Sequence, residues 1–448
     1  MSAATRILLS IVAIVVVGLA IAAWVLRGPG PLDFAGSQTV ALADYKGANP
    51  TGVPASLAKA SLVERGAYLA RAADCMACHT KPGGEDFAGG LGFKLPFGTL
   101  YSTNITPDKE NGIGNYSDAD FLNAMHRGIR RDGARLYPAM PYASYAYVTD
   151  EDALAIKAYL FSLPPVHEQV PANTLAFPFD QRWAMIFWSA LFNPDRRFTP
   201  ETSKSPEWNR GAYLAEALAH CGECHTPRNL GFALDNRKKF AGAVTAGWHA
   251  YNITSDKGTG IGGWSDADLA SYLANGHASG HGTASGPMGE AVDRSLSQMT
   301  ADDIKSVVAY LRTVPAIASP DLPASLAPPA PASHKDGGGK GNARGKIVFE
   351  GGCVSCHGWT GESPVSPMAT LTGAGAVNDP GGTNVAQVVL SGTTRLTPDG
   401  ALSMPAFGNA YSDDEIAAVA NYVTARFGAK GSSLTAQDVA ELRKQVSQ

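Results

Sequence analysis

Charge is the first property that this sequence has little of. Only 17% of its 448 residues are charged, and 36 Lys and Arg against 40 Asp and Glu leave a formal net charge of −4. A chain that binds nucleic acid would carry a basic patch or stripe, so we expect no nucleic-acid partner. An apolar fraction of 45% also excludes a largely disordered chain. At roughly 100–200 residues per domain, this length predicts two to four folded domains.

Long apolar runs are equally scarce, which excludes a membrane protein with many spans. The run of membrane length covers the 20 residues from Ile7 to Leu26, between Arg6 and Arg27. A helix of that length crosses the roughly 30 Å hydrocarbon core of a bilayer, and the positive N-terminal flank favours an exported remainder. A cleaved signal peptide is the alternative, because Ala20-Ile21-Ala22 is a possible cleavage site. Both interpretations export the bulk of the chain.

Cysteine is the third scarce residue, and none lies outside one repeated motif. The six cysteines form three C-x-x-C-H sequences, namely Cys75-Met-Ala-Cys78-His79, Cys221-Gly-Glu-Cys224-His225 and Cys353-Val-Ser-Cys356-His357. This motif is the attachment signature of c-type haem: the two thiols form thioethers with the haem vinyl groups, and the adjacent histidine binds the iron. The sequence therefore predicts three covalently bound haem c groups. Their iron ligands on one side are His79, His225 and His357.

Other uses of these cysteines fit the spacing less well. A structural zinc site needs four ligands close together, whereas successive motifs start 146 and 132 residues apart. A redox-active dithiol would need a βαβ context and no histidine at a fixed place. Structural cysteines in an exported protein would pair as disulfides. Repetition of the whole motif favours haem attachment.

The first two motifs lie in an internal repeat. The segment 64–70 before the first motif is similar to 209–215 before the second, and Asn104-Ile105-Thr106 recurs as Asn252-Ile253-Thr254. From these asparagines onward the offset is constant at 148 positions. Duplication of a unit of about 120 residues explains the pattern. We therefore expect two similar haem domains, with the third motif belonging to a shorter third one.

The repeat also predicts a second ligand for each iron. Met140, between Ala139 and Pro141, corresponds at this offset to Met288, and the third unit supplies Met404 before Pro405. A thioether sulfur suits haem iron and raises its reduction potential relative to a second histidine. Met140, Met288 and Met404 are therefore the predicted sixth ligands.

Three histidines compete with these methionines. They are His126, His277 and His281. His126 has no histidine at the repeat offset, which weakens it as a ligand. His277 and His281 come shortly before Met288, so the second iron has the most alternatives.

A predicted helix ends each unit and begins at a capping box. The capping pairs are Thr149 with Asp152, Thr300 with Asp303, and Ser412 with Glu415. The helix before each motif contains a glycine that would permit close approach to this terminal helix. These glycines are Gly66, Gly211 and Gly345, and the aromatic residues expected at the crossings are Tyr159, Tyr310 and Tyr422.

These patterns divide the chain into segments that we name here. They are an N-terminal membrane anchor or signal segment at 1–32, a first unit at 46–166, an aromatic-rich connector at 167–200, a second unit at 201–316, a flexible Pro/Gly linker at 317–343, a third unit at 344–428 and a C-terminal tail at 429–448. The connector is too short to span a bilayer. It packs between the first two units or contacts a membrane surface or a partner.

Together with these motifs, three stretches give the sequence a family resemblance. They are Tyr101-Ser-Thr-Asn-Ile-Thr-Pro107, Tyr137-Pro-Ala-Met140-Pro141 and Phe177-Pro-Phe179-Asp-Gln-Arg182-Trp183. Over roughly residues 45–428 the chain resembles the triple-haem cytochrome c subunits of bacterial membrane-bound dehydrogenases, which oxidise alcohols, gluconate, sorbitol, fructose or aldehydes.

This resemblance implies an electron-transfer subunit without substrate chemistry of its own. It would take electrons from a catalytic subunit carrying pyrroloquinoline quinone, flavin or molybdopterin, and pass them to ubiquinone or a terminal oxidase. The implied location is the periplasmic side of a bacterial inner membrane. The expected fold is all-α, with three class I cytochrome c domains in tandem after one N-terminal helix.

The alternative function is that of a haem enzyme in its own right, such as a peroxidase or a nitrite-reducing cytochrome. That chemistry needs an iron whose sixth position is open or easily vacated. Three methionines in register argue against it.

Overall fold

The computed structural model describes residues 2–36, 38–319, 343–397 and 400–445. Over these residues the α-helices are α1 (Ala3–Arg27), α2 (Leu62–Ala72), α3 (Cys75–His79), α4 (Asp118–Arg127), α5 (Tyr142–Tyr145), α6 (Asp150–Ser162), α7 (Met185–Phe192), α8 (Pro206–Tyr213), α9 (Gly222–His225), α10 (Asp266–Asn275), α11 (Gly286–Arg294), α12 (Ala301–Leu311), α13 (Ala343–Gly352), α14 (Val354–His357), α15 (Gly375–Asn378), α16 (Thr383–Ser391), α17 (Asp413–Phe427) and α18 (Ala436–Gln445). A π-helical turn, Leu214–Leu218, extends α8. The fold is mainly helical, as predicted.

Short β-hairpins accompany these helices, and they were not predicted from the sequence. The antiparallel pairs are β1 (Gly92–Leu95) with β2 (Gly98–Tyr101), β3 (Ala243–Thr245) with β4 (Trp248–Ala250), β5 (His277–Ala278) with β6 (Gly282–Thr283), and β7 (Thr393–Thr397) with β8 (Gly400–Met404). Strands of two to five residues carry too little alternation to be recognised in a sequence.

Three helix crossings organise the fold, and each has a glycine at its centre. A Cβ atom on Gly66 of α2 would lie 1.8 Å from the carbonyl oxygen of Ala155 in α6. A Cβ atom on Gly211 would lie 1.9 Å from the carbonyl oxygen of Ser306 in α12, and one on Gly345 would lie 2.1 Å from that of Ala418 in α17. Any larger residue would push the helices apart, which confirms the predicted role of these glycines. The predicted aromatic residues, Tyr159, Tyr310 and Tyr422, also adjoin the glycines.

The terminal helices α6, α12 and α17 begin where predicted, but their caps differ. In α17, Ser412 and Glu415 form the complete reciprocal capping box. In α6 and α12 the threonine hydroxyl accepts from the backbone N–H of Asp152 or Asp303, as predicted. The two carboxylates, however, bind tyrosines of the other unit instead of reaching back to the cap. The reciprocal half of both boxes was therefore wrong, because a distant partner competes for the carboxylate.

The predicted repeat is visible in the hydrogen bonds. Asn104 Oδ1 accepts from the N–H of Thr106 at 2.9 Å, and Asn252 Oδ1 accepts from that of Thr254 at 2.8 Å. The carbonyl oxygen of each threonine then accepts from an isoleucine N–H seven residues later at 2.9 Å. The offset of 148 positions therefore relates folded structures as well as sequences.

Apolar packing joins the first two units. One core extends from Ala35 to Val314 and contains α2, α6, α8 and α12 side chains together. Another core, from Val348 to Val439, is built by the third unit and the C-terminal segment after it. The segment expected to be a tail thus contains α18, whose Val439 is fully buried against that core. Of the predicted linker, residues 320–342 lie outside the described residues.

The N-terminal helix α1 stands apart from both cores. It is long and apolar enough to cross a membrane, and all of its most apolar window is unburied. A signal sequence near the N-terminus meets the same criteria of length and composition as a membrane span. Ser2 caps its first turn and Arg27 is its last residue, so the helix begins at Ala3, before the charged flank at Arg6.

Candidate haem sites

Each C-x-x-C-H motif folds into one tight helical turn that follows a longer helix. The motifs form α3, α9 with the preceding Cys221, and α14 with the preceding Cys353. In the first two units the residue before the motif, Asp74 or His220, has a positive φ of 51° or 37°. This left-handed residue turns the chain sharply between the long helix and the motif. Both thiols and the histidine therefore project from the same short turn.

The three motif histidines share one hydrogen-bond geometry. The Nδ1 atom of His79 lies 2.7 Å from the carbonyl oxygen of Thr103, that of His225 lies 2.6 Å from Tyr251 and that of His357 lies 2.6 Å from Ala369. Because a carbonyl oxygen can only accept, Nδ1 carries the proton and Nε2 keeps its lone pair. This is the tautomer and orientation that a metal-binding histidine uses.

Burial keeps these imidazoles neutral. It lowers the pKa of His79, His225 and His357 below the usual value, and the carbonyl contacts raise each pKa in part. A neutral ring is the form that binds a metal. The histidines are therefore prepared as ligands by their surroundings.

Burial raises the pKa of five of the six motif thiols. Burial raises the pKa of Cys75, Cys78 and Cys221 to about 12. It raises the pKa of Cys224 and Cys353 to about 11. A reactive dithiol has a lowered pKa, so these values argue against a redox-active pair. Within the described residues no group of three or more His, Cys, Asp or Glu side chains is placed to hold a metal ion. Two thiols and a neutral imidazole on one turn fit covalent haem attachment.

The first two motifs have common neighbours. Tyr145 of α5 donates its hydroxyl to the carbonyl oxygen of Ala73 at 2.7 Å, and its ring packs against His220 at 5.4 Å. Ser144 donates to Glu223 inside the second motif at 2.8 Å. The α5 turn, which follows Met140, therefore bridges the two attachment turns.

The three methionines lie in different local structures. Met140 precedes α5 and packs against the large core to which Cys75 also packs. Met288 lies in the first turn of α11, beside a small core of Ala284, Val292, Leu296 and Ile304. Met404 ends β8 and packs against the same core as Cys353.

Of the competing histidines, His277 and His281 have other partners, whereas both ring nitrogens of the buried His126 are without a hydrogen-bond partner in the described structure. His277 Nδ1 lies 2.9 Å from the Thr283 hydroxyl across the β5–β6 hairpin. The His281 ring stacks on Trp264 at 3.8 Å, and its Nε2 lies 3.8 Å from Asp268. His126 is buried beside Asp150, and burial, with a contribution from Arg197, lowers its pKa to about 4.

A buried charged network beside the second motif was not predicted. Lys239 and Glu216 form an ion pair at 2.7 Å, and the Tyr310 hydroxyl donates to the same carboxylate. These two charges have opposite effects on the pKa of Cys221. The C-x-x-C-H motif gives no indication of Lys239 or Glu216, so only the folded structure shows that these two residues meet.

Comparisons with known proteins agree with this geometry. The cytochrome c family profile matches residues 63–164 and 342–426. The gluconate 2-dehydrogenase cytochrome c subunit of Pantoea cypripedii is 39% identical over 401 residues, which cover 86% of this chain and 90% of the relative. The fructose dehydrogenase cytochrome subunit of Gluconobacter japonicus is 38% identical over 88% of this chain and 85% of the relative.

A third relative has a match of similar length. The cytochrome c subunit of the quinone-dependent alcohol dehydrogenase of Gluconobacter oxydans is 38% identical over 86% of this chain and 82% of the relative. The predicted family is thereby confirmed. With its haem-attachment turns and this similarity over most of its length, the chain belongs to the family of cytochrome c subunits of dehydrogenases.

Proposed function

We propose that this chain is a triple-haem electron-transfer subunit. It takes electrons from the catalytic subunit of a dehydrogenase, which carries pyrroloquinoline quinone, flavin or molybdopterin. It passes them to ubiquinone or a terminal oxidase at the periplasmic side of a bacterial inner membrane. Substrate oxidation takes place in the partner, and this chain contributes the path for electrons.

The observation that carries the proposal is the common geometry of the three motif histidines. In each, a backbone carbonyl oxygen holds Nδ1, so Nε2 faces away with its lone pair available. Three equal arrangements support three class I cytochrome c domains in tandem, at the first, second and third units. Haem c, when bound, supplies one-electron chemistry at its iron.

The residues of this chain set the electronic properties of each site. The thioether cysteines are Cys75 and Cys78, Cys221 and Cys224, and Cys353 and Cys356, and the ligand pairs are His79 with Met140, His225 with Met288, and His357 with Met404. With a histidine and a methionine both holding the iron, no position would be left for a small substrate, which would favour electron transfer over substrate chemistry. We further propose that α1 anchors the chain to the membrane.

Haem content tests the count of three. Replacing both cysteines of one motif by serine, one motif at a time, is expected to reduce the haem content from three to two per chain. The three paired variants serve as controls for one another. Pyridine haemochrome absorbance and intact mass measure the content. A wild-type chain with fewer than three covalent haems would overturn the proposal.

The reduction potentials test the methionine assignments. The substitutions Met140→Leu, Met288→Leu and Met404→Leu should each lower one potential by about 100 mV or more, within the roughly 0.8 V that axial ligands span. Met125→Leu is the matched control, because Met125 is a buried methionine of α4 that we do not assign to iron. A redox titration with three resolved waves is the measurement. An unchanged titration in one variant would remove that ligand, and peroxidase or nitrite reductase turnover by the isolated chain would favour the enzymatic alternative.

A further inference from the structure

An unusual apolar surface lies beside α1, and we call it the aromatic face. It consists of Phe177, Phe179, Trp183, Phe187, Leu230 and Phe232. The relative exposure is 80% for Phe177, 61% for Trp183, 68% for Phe187 and 92% for Leu230. Single exposed apolar residues are ordinary, but a contiguous group of large ones marks a contact with another phase or molecule.

The 3-10 turn Arg182–Ala184 and the helix α7 that follows it carry aromatic residues on two opposite sides. Trp188 and Phe192, four positions apart, face the protein: Trp188 packs on Tyr142 of the first unit and donates its indole N–H to Gly231 of the second at 2.8 Å. Trp183 and Phe187, also four apart, are on the exposed side. Packing between the units thus accounts for one side of the connector and leaves the other open.

Ring contacts join the connector to a loop of the second unit. Phe179 stacks on Phe97 at 3.9 Å, and Phe97 meets Phe232 edge-on at 6.3 Å. Leu230 lies in the same loop, which the Trp188 indole holds at Gly231. The aromatic face is therefore one surface built from two separate segments of the chain.

The same loop region binds the C-terminal end of α1. Asn229 donates to the carbonyl oxygen of Leu26 at 2.8 Å, and Arg237 donates to that of Val25 at 3.3 Å. Asn236 donates to Pro29 just beyond the helix at 3.1 Å. The last carbonyls of a helix lack intrahelical partners, so these side chains satisfy them and fix the direction of α1. In addition, α1 lies against α7.

The position of α1 indicates what covers the aromatic face. A helix long enough to span the bilayer ends on the loop that carries Leu230 and Phe232, so these side chains are at the level where α1 leaves the hydrocarbon. Trp is enriched at that boundary of a bilayer, and Trp, Phe and Leu form the apolar side of segments that lie in it. The nearby basic residues Arg237 and Arg228 are paired with Asp235 and Glu223, so burial of apolar surface is the main attraction here.

We propose that the aromatic face inserts into the outer leaflet of the bilayer beside α1, as a second membrane contact. The inference rests on the proposed membrane anchoring of the chain. This second contact would hold the second unit at a fixed height and orientation on the membrane surface. The first unit, which shares a core with the second, would be held with it.

Photo-crosslinking in the full-length haem-loaded chain tests this contact. A benzophenone amino acid is placed singly at position 187, at position 230 or, as a control, at position 359. Trp359 is a matched control because it is a 58% exposed aromatic residue of the third unit. The protein is reconstituted in phosphatidylcholine vesicles, irradiated, and examined by mass spectrometry for lipid adducts. We expect at least tenfold more adduct at 187 and 230 than at 359.

Each result has one meaning. Lipid labelling at 187 and 230 no higher than at 359 overturns the inference, even if the chain stays in the membrane through α1. Labelling of the dehydrogenase catalytic subunit by positions 187 and 230 in native membranes, with no lipid adduct, also overturns it and assigns the face to that partner. Mass analysis of the isolated chain reports separately on whether α1 is retained. If α1 has been cleaved, the inference still predicts that the chain binds vesicles. The double substitution Trp183→Glu and Phe187→Glu should then abolish this binding.

Discussion

The second unit contacts its two neighbours in very different ways. Toward the first unit the contact is reciprocal: Tyr68 donates to Asp303 of the second unit, and Tyr213 donates to Asp152 of the first, both at 2.6 Å. Arg210 of the second unit pairs with the same Asp303 at 2.7 and 2.8 Å, and it also donates to the carbonyl oxygens of Pro50 and Gly52 of the first unit. One continuous apolar core also joins these two units.

Toward the third unit the contact is polar and has no such symmetry. Arg395 of β7 is 2% exposed, and its guanidinium donates to the carbonyl oxygen of Gly289 at 2.6 Å and pairs with Asp293 at 3.0 Å. His249 Nδ1 lies 2.9 Å from Asp379. The third unit keeps its own apolar core. We infer that duplication produced a pair that folds as one body, on which the third unit is docked.

Removing the shared carboxylate should have the largest effect. Asp303→Ala leaves the Arg210 guanidinium buried without its partner and is expected to lower the free energy of unfolding by about 3–5 kcal/mol. Denaturant unfolding of the haem-loaded protein measures the change. Glu415→Ala is the matched control, since it removes the corresponding acid of α17. That acid makes a capping box and an ion pair with the exposed Arg344, and its loss should cost about 1 kcal/mol or less. Equal losses in the two variants would contradict the comparison.

Alkaline pH should weaken the interface between the first two units. Burial, with the Asp303 carboxylate, raises the pKa of Tyr68 from 10.0 to about 12. The native state holds this proton more tightly than the unfolded state, so the contribution is complete below pH 10 and is lost as the pH rises to 12. At about 1.4 kcal/mol per pKa unit, the loss is about 3 kcal/mol.

The variant Tyr68→Phe isolates this effect from the other buried tyrosines. Unfolding free energies of both proteins are measured between pH 9 and 12. The wild-type protein should lose stability more steeply than Tyr68→Phe across this range. Parallel curves for the two proteins would show that the Tyr68 phenol does not titrate at the interface.

Breaking the polar contact should release the third unit and leave the other two intact. Arg395→Ala removes hydrogen bonds to Gly289 and Asp293, which we expect to cost about 2–3 kcal/mol at this interface alone. Small-angle scattering should then show a larger radius of gyration at unchanged helical circular dichroism. Thr394→Ala, at the exposed neighbouring position, should change neither quantity. Global unfolding of the Arg395 variant would mean that the three units form a single cooperative body.

Local chemistry explains what could be predicted from the sequence. The attachment motifs need a fixed spacing of two thiols and a histidine, which is readable in the sequence. The hydrogen-bond geometry that the three motif histidines share was seen only in the structure. The glycines at the helix crossings could be predicted because a glycine recurs in the helix before each motif. The hydroxyl half of each helix cap depends on neighbours three residues apart, and it was correct in all three terminal helices.

Contacts between residues that are far apart in the sequence explain what could not be predicted. Asp152 and Asp303 look like ordinary capping acids in the sequence, yet each binds a tyrosine of the other unit, Tyr213 or Tyr68. Arg395 resembles any surface arginine of a short strand. The helix α18 was not predicted, because the core that buries Val439 comes from residues far earlier in the chain.

By itself, the amino-acid order determined how often the C-x-x-C-H motif recurs and which glycines let the paired helices touch. The motif rests on covalent spacing alone. The helix crossings join residues far apart in the chain, such as Gly66 and Ala155, but they were predictable because a glycine recurs before each motif. Tertiary structure alone decided which acid meets which tyrosine, where Arg395 is buried and which side of α7 stays open. Such pairings join residues up to 235 positions apart, as in Tyr68 with Asp303, so they exist only after the units have packed.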